Sequence, residues 1–297
     1  MEIKVWISAF RLRTLPLAIA CIGMGGFLAA SQHAFQWDIF LLCVFTTIFL
    51  QILSNLANDY GDSIHGADHS DRKGPIRAVQ SGAITPEKMR KALMIFIGLC
   101  LVSGVWLLWI SFGLNWNAIA FFLGLGVLSI LAAIAYTVGR KPYGYVGLGD
   151  LSVLVFFGFV GVMGSAYLFT QEIIPLQILP AISCGFFSIG VLNINNIRDI
   201  ESDRKAGKYS VPVRIGRENA VLYHWFLVLG GIACSLIFTL LTYKTSTQLL
   251  FLFSVPLFLR NGKAVQNKPS EELDPYLKQM ALTTLLFVLL FGLGLVL

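Results

Sequence analysis

The chain has 297 residues, of which 56% are hydrophobic and 13% charged, and a formal net charge of +6. Soluble domains carry about 25% charged residues, so the composition excludes an ordinary soluble fold, and the basic excess points to no nucleic acid because it is confined to loops between apolar runs. All five cysteines (Cys21, Cys43, Cys100, Cys184, Cys234) lie inside those runs without metal-ligand spacing, and read as packing residues.

A membrane span needs roughly 20 apolar residues. The first fourteen residues mix Ile3, Val5, Trp6, Ile7 and Phe10 with Lys4, Arg11 and Arg13. They read as a positively charged flank that fixes topology, compatible with an amphipathic stretch in the interface. No cleavable leader is expected, since the next apolar run leads straight into another. Nine apolar segments follow, with cores at 15–31, 38–57, 92–112, 117–137, 150–170, 175–195, 219–242, 247–259 and 279–297. The eighth is short and holds Pro256. The connections alternate. Those at 32–37, 113–116, 171–174 and 243–246 are short, and Lys244 is their only Lys or Arg. Those at 58–91, 138–149, 196–218 and 260–278 are long and polar. The positive-inside rule puts the N-terminus and the long loops in the cytoplasm and the C-terminus outside. The expectation is one all-α membrane domain over residues 1–297, with nine spans.

The acids share that cytoplasmic side, Asp38 and Glu172 excepted, and gather at two span ends. The first cluster runs from Asn55 through Asn58, Asp59 and Asp62 to Asp68. The second holds Asn195, Asp199 and Asp203. If each helix continues past its apolar run, residues four apart share a face. Asn58 then aligns with Asp62, Asn55 with Asp59, and Asn195 with Asp199 and Asp203. Like charges on one face repel, and near lipid they are costly. A cation resolves both. Oxygen-only ligands favour Mg²⁺, which is usually held by one or two carboxylates plus substrate phosphates. This makes a diphosphate the natural partner, with Asn58, Asp59, Asp62, Asn195, Asp199 and Asp203 as candidate ligands, the four aspartates among them catalytic.

Basic residues follow each cluster. Arg77, Lys208 and Arg214 are candidates for the phosphate oxygens, while Arg72, Lys73, Arg204 and Lys205 read as topology signals. The 136–150 loop is rich in Gly and Tyr but lacks a P-loop ending. Its Arg140 and Lys141 suit a carboxylate or the diphosphate; Tyr143 and Asp150, with Asn55 and Asp68, are candidates for acceptor binding or loop roles. Asp150 also stands at a helix N-terminus, where an acid is favoured in any case. His65 and His69 read as solvated loop residues.

These stripes resemble the paired motifs of the UbiA superfamily of intramembrane aromatic prenyltransferases, Asn-Asp-x-x-Asp-x-x-x-Asp and Asp-x-x-x-Asp. The first falls on Asn58, Asp59 and Asp62, the second on Asp199 and Asp203. Gly66 stands where the last acid of the first motif is often found, and Asp68 is its candidate replacement. Arg11–Pro16, Asn55–Asp68, Arg77–Gly82, Tyr136–Asp150 and Asn195–Gly216 look like the menaquinone-pathway branch that prenylates 1,4-dihydroxy-2-naphthoate. The resemblance implies a nine-helix bundle around a lipid-open cavity. It implies Mg²⁺-dependent transfer of a polyprenyl group from its diphosphate to the naphthoate, with loss of diphosphate and CO₂, in the bacterial inner membrane and without an obligatory protein partner. The alternatives are another aromatic acceptor, 4-hydroxybenzoate or haem, and, in a different class, a transporter. Transporters place ionisable groups near the bilayer midplane, whereas here they gather at one face.

Overall fold

The computed structural model describes residues 2–65 and 77–297, and every regular element among them is a helix. In chain order these are α1 (Glu2–Phe10), α2 (Leu15–Ala30), α3 (Trp37–Ile64), α4 (Pro86–Phe112), α5 (Trp116–Ala135), α6 (Gly149–Thr170), α7 (Ile178–Arg198), α8 (Ile200–Lys205), α9 (Val211–Leu241), α10 (Val255–Asn267) and α11 (Asp274–Val296). Among the described residues, eight helical stretches are long and apolar enough to cross a membrane: α1 with α2, then α3, α4, α5, α6, α7 with its leading turn from Pro175, α9 and α11.

Local chemistry sets the boundaries. Thr85 caps α4 by accepting from the Lys88 N–H at 3.3 Å, with Pro86 in the first turn, where its missing N–H costs nothing. Asn115 caps α5 the same way at 3.2 Å. Arg11 takes a left-handed conformation (φ 49°, ψ 55°) and breaks α1 from α2. Within α6, residues Leu154–Gly164 are wound as a π-helix, a rare form concentrated at functional sites. Gly216 (φ 79°, ψ 165°) interrupts α9, so that span starts cleanly only beyond it.

The apolar segment expected at 247–259 takes another form. Ser246–Ser254 is a 3₁₀ helix that passes into α10, and it falls outside the eight long apolar helices. Pro256 stands in the first turn of α10, where its missing N–H is tolerated, and Arg260, Asn261 and Lys263 make the following turns polar.

Side-chain packing gathers the long loops at one end of the bundle. Thr137 bonds to Ala57, Tyr145 to Asp62, Arg198 to Asp274 and Arg217 to Ser270. The opposite end is closed by rings, with Phe35 stacked on Phe169 and Phe122 on Tyr167. The core centres on α7, which is buried along most of its length and packs Phe187 against Phe258 and Phe287. A second cluster joins α3 and α4 around Leu53, Leu56 and Met89.

Candidate active site

The helix of α3 runs to Ile64, well past its apolar stretch, and carries the first acidic run on its last turns. Two of those acids are put to different uses. The Asp59 carboxylate accepts backbone N–H groups from Ala78 at 3.1 Å and Val79 at 3.3 Å, so it folds the 77–82 turn onto the helix. Asp62 forms a buried ion pair with Arg77 and accepts from the Tyr145 hydroxyl at 2.7 Å. Arg77 also donates to the Asn58 carbonyl at 3.0 Å, which fixes its reach. The Asn58 amide oxygen accepts from Thr137 at 3.3 Å. Gly61 permits this approach: a Cβ there would lie 2.5 Å from the Thr137 carbonyl oxygen. Asn55 points back along the bundle, donating to Phe10 O at 2.9 Å and Thr14 Oγ1 at 3.1 Å, and so holds the break around Arg11.

The second acidic run is built differently. The α7 helix ends at Arg198, and Asp199 (φ −100°, ψ 11°) is the joint before α8. Asp199 accepts from Arg198 Nε at 2.9 Å and Nη2 at 2.8 Å. Arg198 also donates to Asn195 at 2.8 Å and pairs with Asp274, which Arg13 meets at 2.8 Å. Asp203, one turn on, faces elsewhere. A left-handed Gly207 (φ 70°) reverses the chain after α8, and Lys208 folds back with its Nζ 3.3 Å from each Asp203 oxygen. Tyr209 N–H then bonds to Tyr145 O at 2.8 Å and ties this turn to the 136–150 loop.

The two runs meet at Lys208. Burial alone would lower its ammonium, but the Asp203 and Asp62 charges outweigh burial and hold it above the ordinary lysine value. Burial raises Asp203; Lys208 opposes the rise, and the Asp199 and Asp62 charges add to it. Asp203 Oδ2 is buried without a hydrogen-bond donor. Burial likewise pushes the Tyr136 phenol up to about 12, and Tyr145, beside Asp62, is raised too.

A cavity of about 410 Å³ opens from this cluster. Its polar end is lined by Asn55, Asn58, Asp62, Arg77, Asn195 and Lys208, with Arg11, Tyr136 and Tyr143 beside them. It then runs between the helices past Leu17, Ile22, Leu107, Leu108, Phe156 and Leu168. The Tyr143 hydroxyl donates to Ala132 O at 2.9 Å and meets Ser152 Oγ at 2.9 Å.

Other predicted residues lie off the lining. Arg214 donates to Tyr209 O at 3.0 Å and Val146 O at 2.9 Å, so it braces the loops. Arg140 and Lys141 are exposed on the loop surface. Asp150 accepts from the Tyr223 hydroxyl at 2.8 Å. Asp68 lies outside the described residues. Conversely, Tyr136, Thr137, Tyr145, Arg198 and Asp274 belong to the site or its frame though the acidic pattern does not mark them. Their one sequence signal is that each follows or precedes a span end on the loop-rich side.

Among the described residues, no three His, Cys, Asp or Glu side chains converge tightly enough to hold a metal alone. The oxygen donors of the cluster are the Asp62 carboxylate and the Asn58 and Asn195 amides on the lining, with the Asp203 carboxylate paired to Lys208, which also lines it; Asp203 Oδ2 accepts no hydrogen bond among the described residues. That set fits Mg²⁺ completed by phosphate oxygens and does not fit zinc or copper.

A two-part acidic motif, at the head of an intramembrane cavity that turns apolar, is the pattern of one family, and the profile of the UbiA prenyltransferase family matches residues 17–285. This chain belongs to that family. UbiA relatives include the 1,4-dihydroxy-2-naphthoate octaprenyltransferase of Escherichia coli (strain K12), 45% identical over 96% of this chain and 94% of that protein. The 1,4-dihydroxy-2-naphthoate octaprenyltransferase of Haemophilus influenzae is also 45% identical, over 99% and 96%. In fold, the chain resembles the apo UbiA homologue of Aeropyrum pernix K1, with TM-score 0.68 at 15% identity, covering 96% of this chain and 97% of that one. It also resembles the Archaeoglobus fulgidus homologue solved with DMAPP and Mg²⁺, with TM-score 0.63 at 15% identity, covering 96% and 98%. With eight long apolar helices, this UbiA chain is a multi-pass membrane protein.

Proposed function

We propose that this chain is a 1,4-dihydroxy-2-naphthoate polyprenyltransferase, moving a polyprenyl group from its diphosphate onto the naphthoate with loss of CO₂ and diphosphate to give demethylmenaquinone. The reading is supported by the named activity of relatives 45% identical over nearly the whole chain. The observation that carries the chemistry is the head of the apolar cavity, where Asp62 with Arg77 from one acidic helix end and Lys208, paired with Asp203 of the other, share one lining.

Asn58, Asp62, Asn195 and Asp203 would hold Mg²⁺, which when bound neutralises the diphosphate and draws electrons from the allylic C–O bond. Arg77 and Lys208 donate to the phosphate oxygens on which charge builds as that bond breaks. Both are already positioned by the carboxylates they pair with, so little reorganisation is needed. Tyr136 and Tyr143, edge-to-face with each other at 5.3 Å, are on the lining, and aromatic rings there suit an allylic cation. The apolar walls exclude water that would otherwise capture it. Asn55 and Arg11 form the polar shelf for the acceptor and its carboxylate. Asp59 and Asp199 act through others, Asp59 by seating the Arg77 turn and Asp199 by fixing Arg198 and Asn195.

The topology completes the proposal. Residues 1–297 form one domain. Ser246–Asn267 supplies a ninth crossing, which puts the N-terminus in the cytoplasm and the C-terminus outside, in a bacterial inner membrane. Reporter tags at the two termini test it, since eight crossings would leave both on one side. For the activity, purified protein is incubated with 1,4-dihydroxy-2-naphthoate, a prenyl diphosphate and Mg²⁺, and products are weighed by mass spectrometry. A prenylated, decarboxylated naphthoquinone is expected. Its absence, alongside product from 4-hydroxybenzoate or haem, would overturn the acceptor.

A further inference from the structure

Four charges of alternating sign connect the two ends of the polar lining. Arg13 stands in the short turn Leu12–Thr14 between α1 and α2, flanked by Arg11 and Thr14, which both line the cavity. Its Nη1 meets Asp274 Oδ2 at 2.8 Å. The other Asp274 oxygen accepts from Arg198, whose Nε and Nη2 hold both oxygens of Asp199. Arg198 Nη2 also donates to the Asn195 amide oxygen at 2.8 Å, and Asn195 lines the cavity. The Asp274 side chain is 36% exposed, whereas that of Arg198 is 1% exposed. A buried guanidinium is costly unless it is paired and hydrogen-bonded, which holds Arg198 between its two carboxylates. Asp274 begins α11, and one turn later Leu277 of the same helix is on the lining. The last span, the break after α1 and the end of α7 are therefore joined at one carboxylate. An acid in the first turn of a helix is favoured by the macrodipole alone. The dipole calls only for charge, and not for two oxygens each seated on a different arginine.

Resting on the prenyltransferase reading, we propose that Asp274 is a positioning residue that holds the acceptor shelf around Arg11 in register with the diphosphate end at Asn195. It is off the lining itself and acts through the two arginines. Through Arg13 it fixes the turn whose Thr14 hydroxyl accepts from Asn55 at 3.1 Å and donates to Arg11 O at 3.0 Å. Through Arg198 it fixes the orientation of the Asn195 amide. Transfer requires the acceptor ring and the allylic carbon to meet at near contact, so the register of the two ends is part of the chemistry. Both carboxylate oxygens are needed. An amide at 274 has one acceptor oxygen, and its NH₂ would set donors against the other guanidinium. One arginine is then released, and the other is held by an uncharged acceptor.

The test measures two quantities on the purified full chain: KM for 1,4-dihydroxy-2-naphthoate at saturating geranyl diphosphate, and the affinity for inorganic diphosphate in excess Mg²⁺, by isothermal titration without turnover. Arg13→Gln is expected to raise the naphthoate KM about threefold, the scale of a partly exposed ion pair, and to leave diphosphate affinity unchanged. Asp274→Asn is expected to raise that KM at least as much and also to weaken diphosphate binding about tenfold, the scale of a lost hydrogen bond to a charged group. Adding Arg13→Gln to Asp274→Asn should raise the KM no further, because the contact is already broken. Additive effects would overturn the proposal. So would an Asp274→Asn protein that loses thermal stability while KM and diphosphate affinity stay as they were, the result of a helix-start role alone. If Asp274→Asn does not fold, Arg13→Gln decides: a raised naphthoate KM with unchanged diphosphate affinity supports the register, and an unchanged KM overturns it. An unaltered protein that binds diphosphate with Mg²⁺ but prenylates no naphthoate would sink the acceptor reading itself, a separate failure.

Discussion

The two acid-bearing helix ends have the same ingredients and are built in opposite ways. The α3 end is a continuous helix, so its aspartates differ only by rotation: Asp59 faces the 77–82 turn and Asp62 faces the cavity. The α7 end is broken at Asp199, and the break turns that residue toward Arg198 and Asp274 while α8 carries Asp203 round to Lys208. In each half the two carboxylates take different partners: Asp59 holds the 77–82 turn and Asp62 pairs with Arg77, while Asp199 holds Arg198 and Asp203 pairs with Lys208. Residues of one motif thus differ in their surroundings in three dimensions.

The comparison is broken most directly at the two carboxylates paired with cations of the cavity lining. Asp62→Asn and Asp203→Asn are each expected to reduce prenyl transfer by about 10³-fold or more, the scale of losing a positioned electrostatic group, with membrane insertion intact. Near-normal turnover in either variant would falsify its place at the reacting end. Next comes Lys208→Met, which strips the buried Asp203 carboxylate of its cation. A loss of about 10²-fold in kcat is expected, with destabilisation of roughly 3–5 kcal/mol, the cost of stripping one partner from a buried pair. Thermal unfolding in detergent measures this, and added Mg²⁺ should recover part of it. The framing acids should be milder. Asp59→Asn keeps one acceptor oxygen for the Ala78 and Val79 N–H groups, so about a tenfold rise in KM for the prenyl diphosphate is expected with a smaller change in kcat. A fall as deep as that of Asp62→Asn would show that Asp59 is itself a ligand. Tyr145→Phe removes one hydrogen bond to Asp62, worth about 1 kcal/mol, and is expected to cost a few-fold in rate. Arg13→Gln is the smallest change: its pair with Asp274 is partly exposed, so below about 1 kcal/mol of stability is expected.

Much of this was legible beforehand because membrane insertion enforces simple rules. Apolar length marks spans, and eight of the nine expected segments fall in the long apolar helices. The remaining one, at 247–259, is a 3₁₀ helix leading into α10, a form that hydropathy does not register. At the site, Asn58, Asp62, Arg77, Asn195 and Lys208 were all marked by type and position, and all reach the cavity lining. Asp59, Asp199, Asp203, Arg214, Lys141, Arg140 and Asp150 carried the same signals and are not on the lining. Charge near a span end says that a residue belongs to one face of the membrane. It says nothing about which way a loop turns, and the loop decides whether Arg214 meets phosphate or a neighbouring carbonyl.

The sequence alone determined the solvent this protein lives in, the face that carries its chemistry and the kind of ion that chemistry calls for, because these depend on sums over local windows: hydropathy, charge bias and donor type. Tertiary structure alone decided which partners the four aspartates take, that Lys208 pairs with Asp203 on the cavity lining, and which helices wall the cavity. Those depend on helix rotation and on a break at Asp199, and rotations exist only once distant segments have packed.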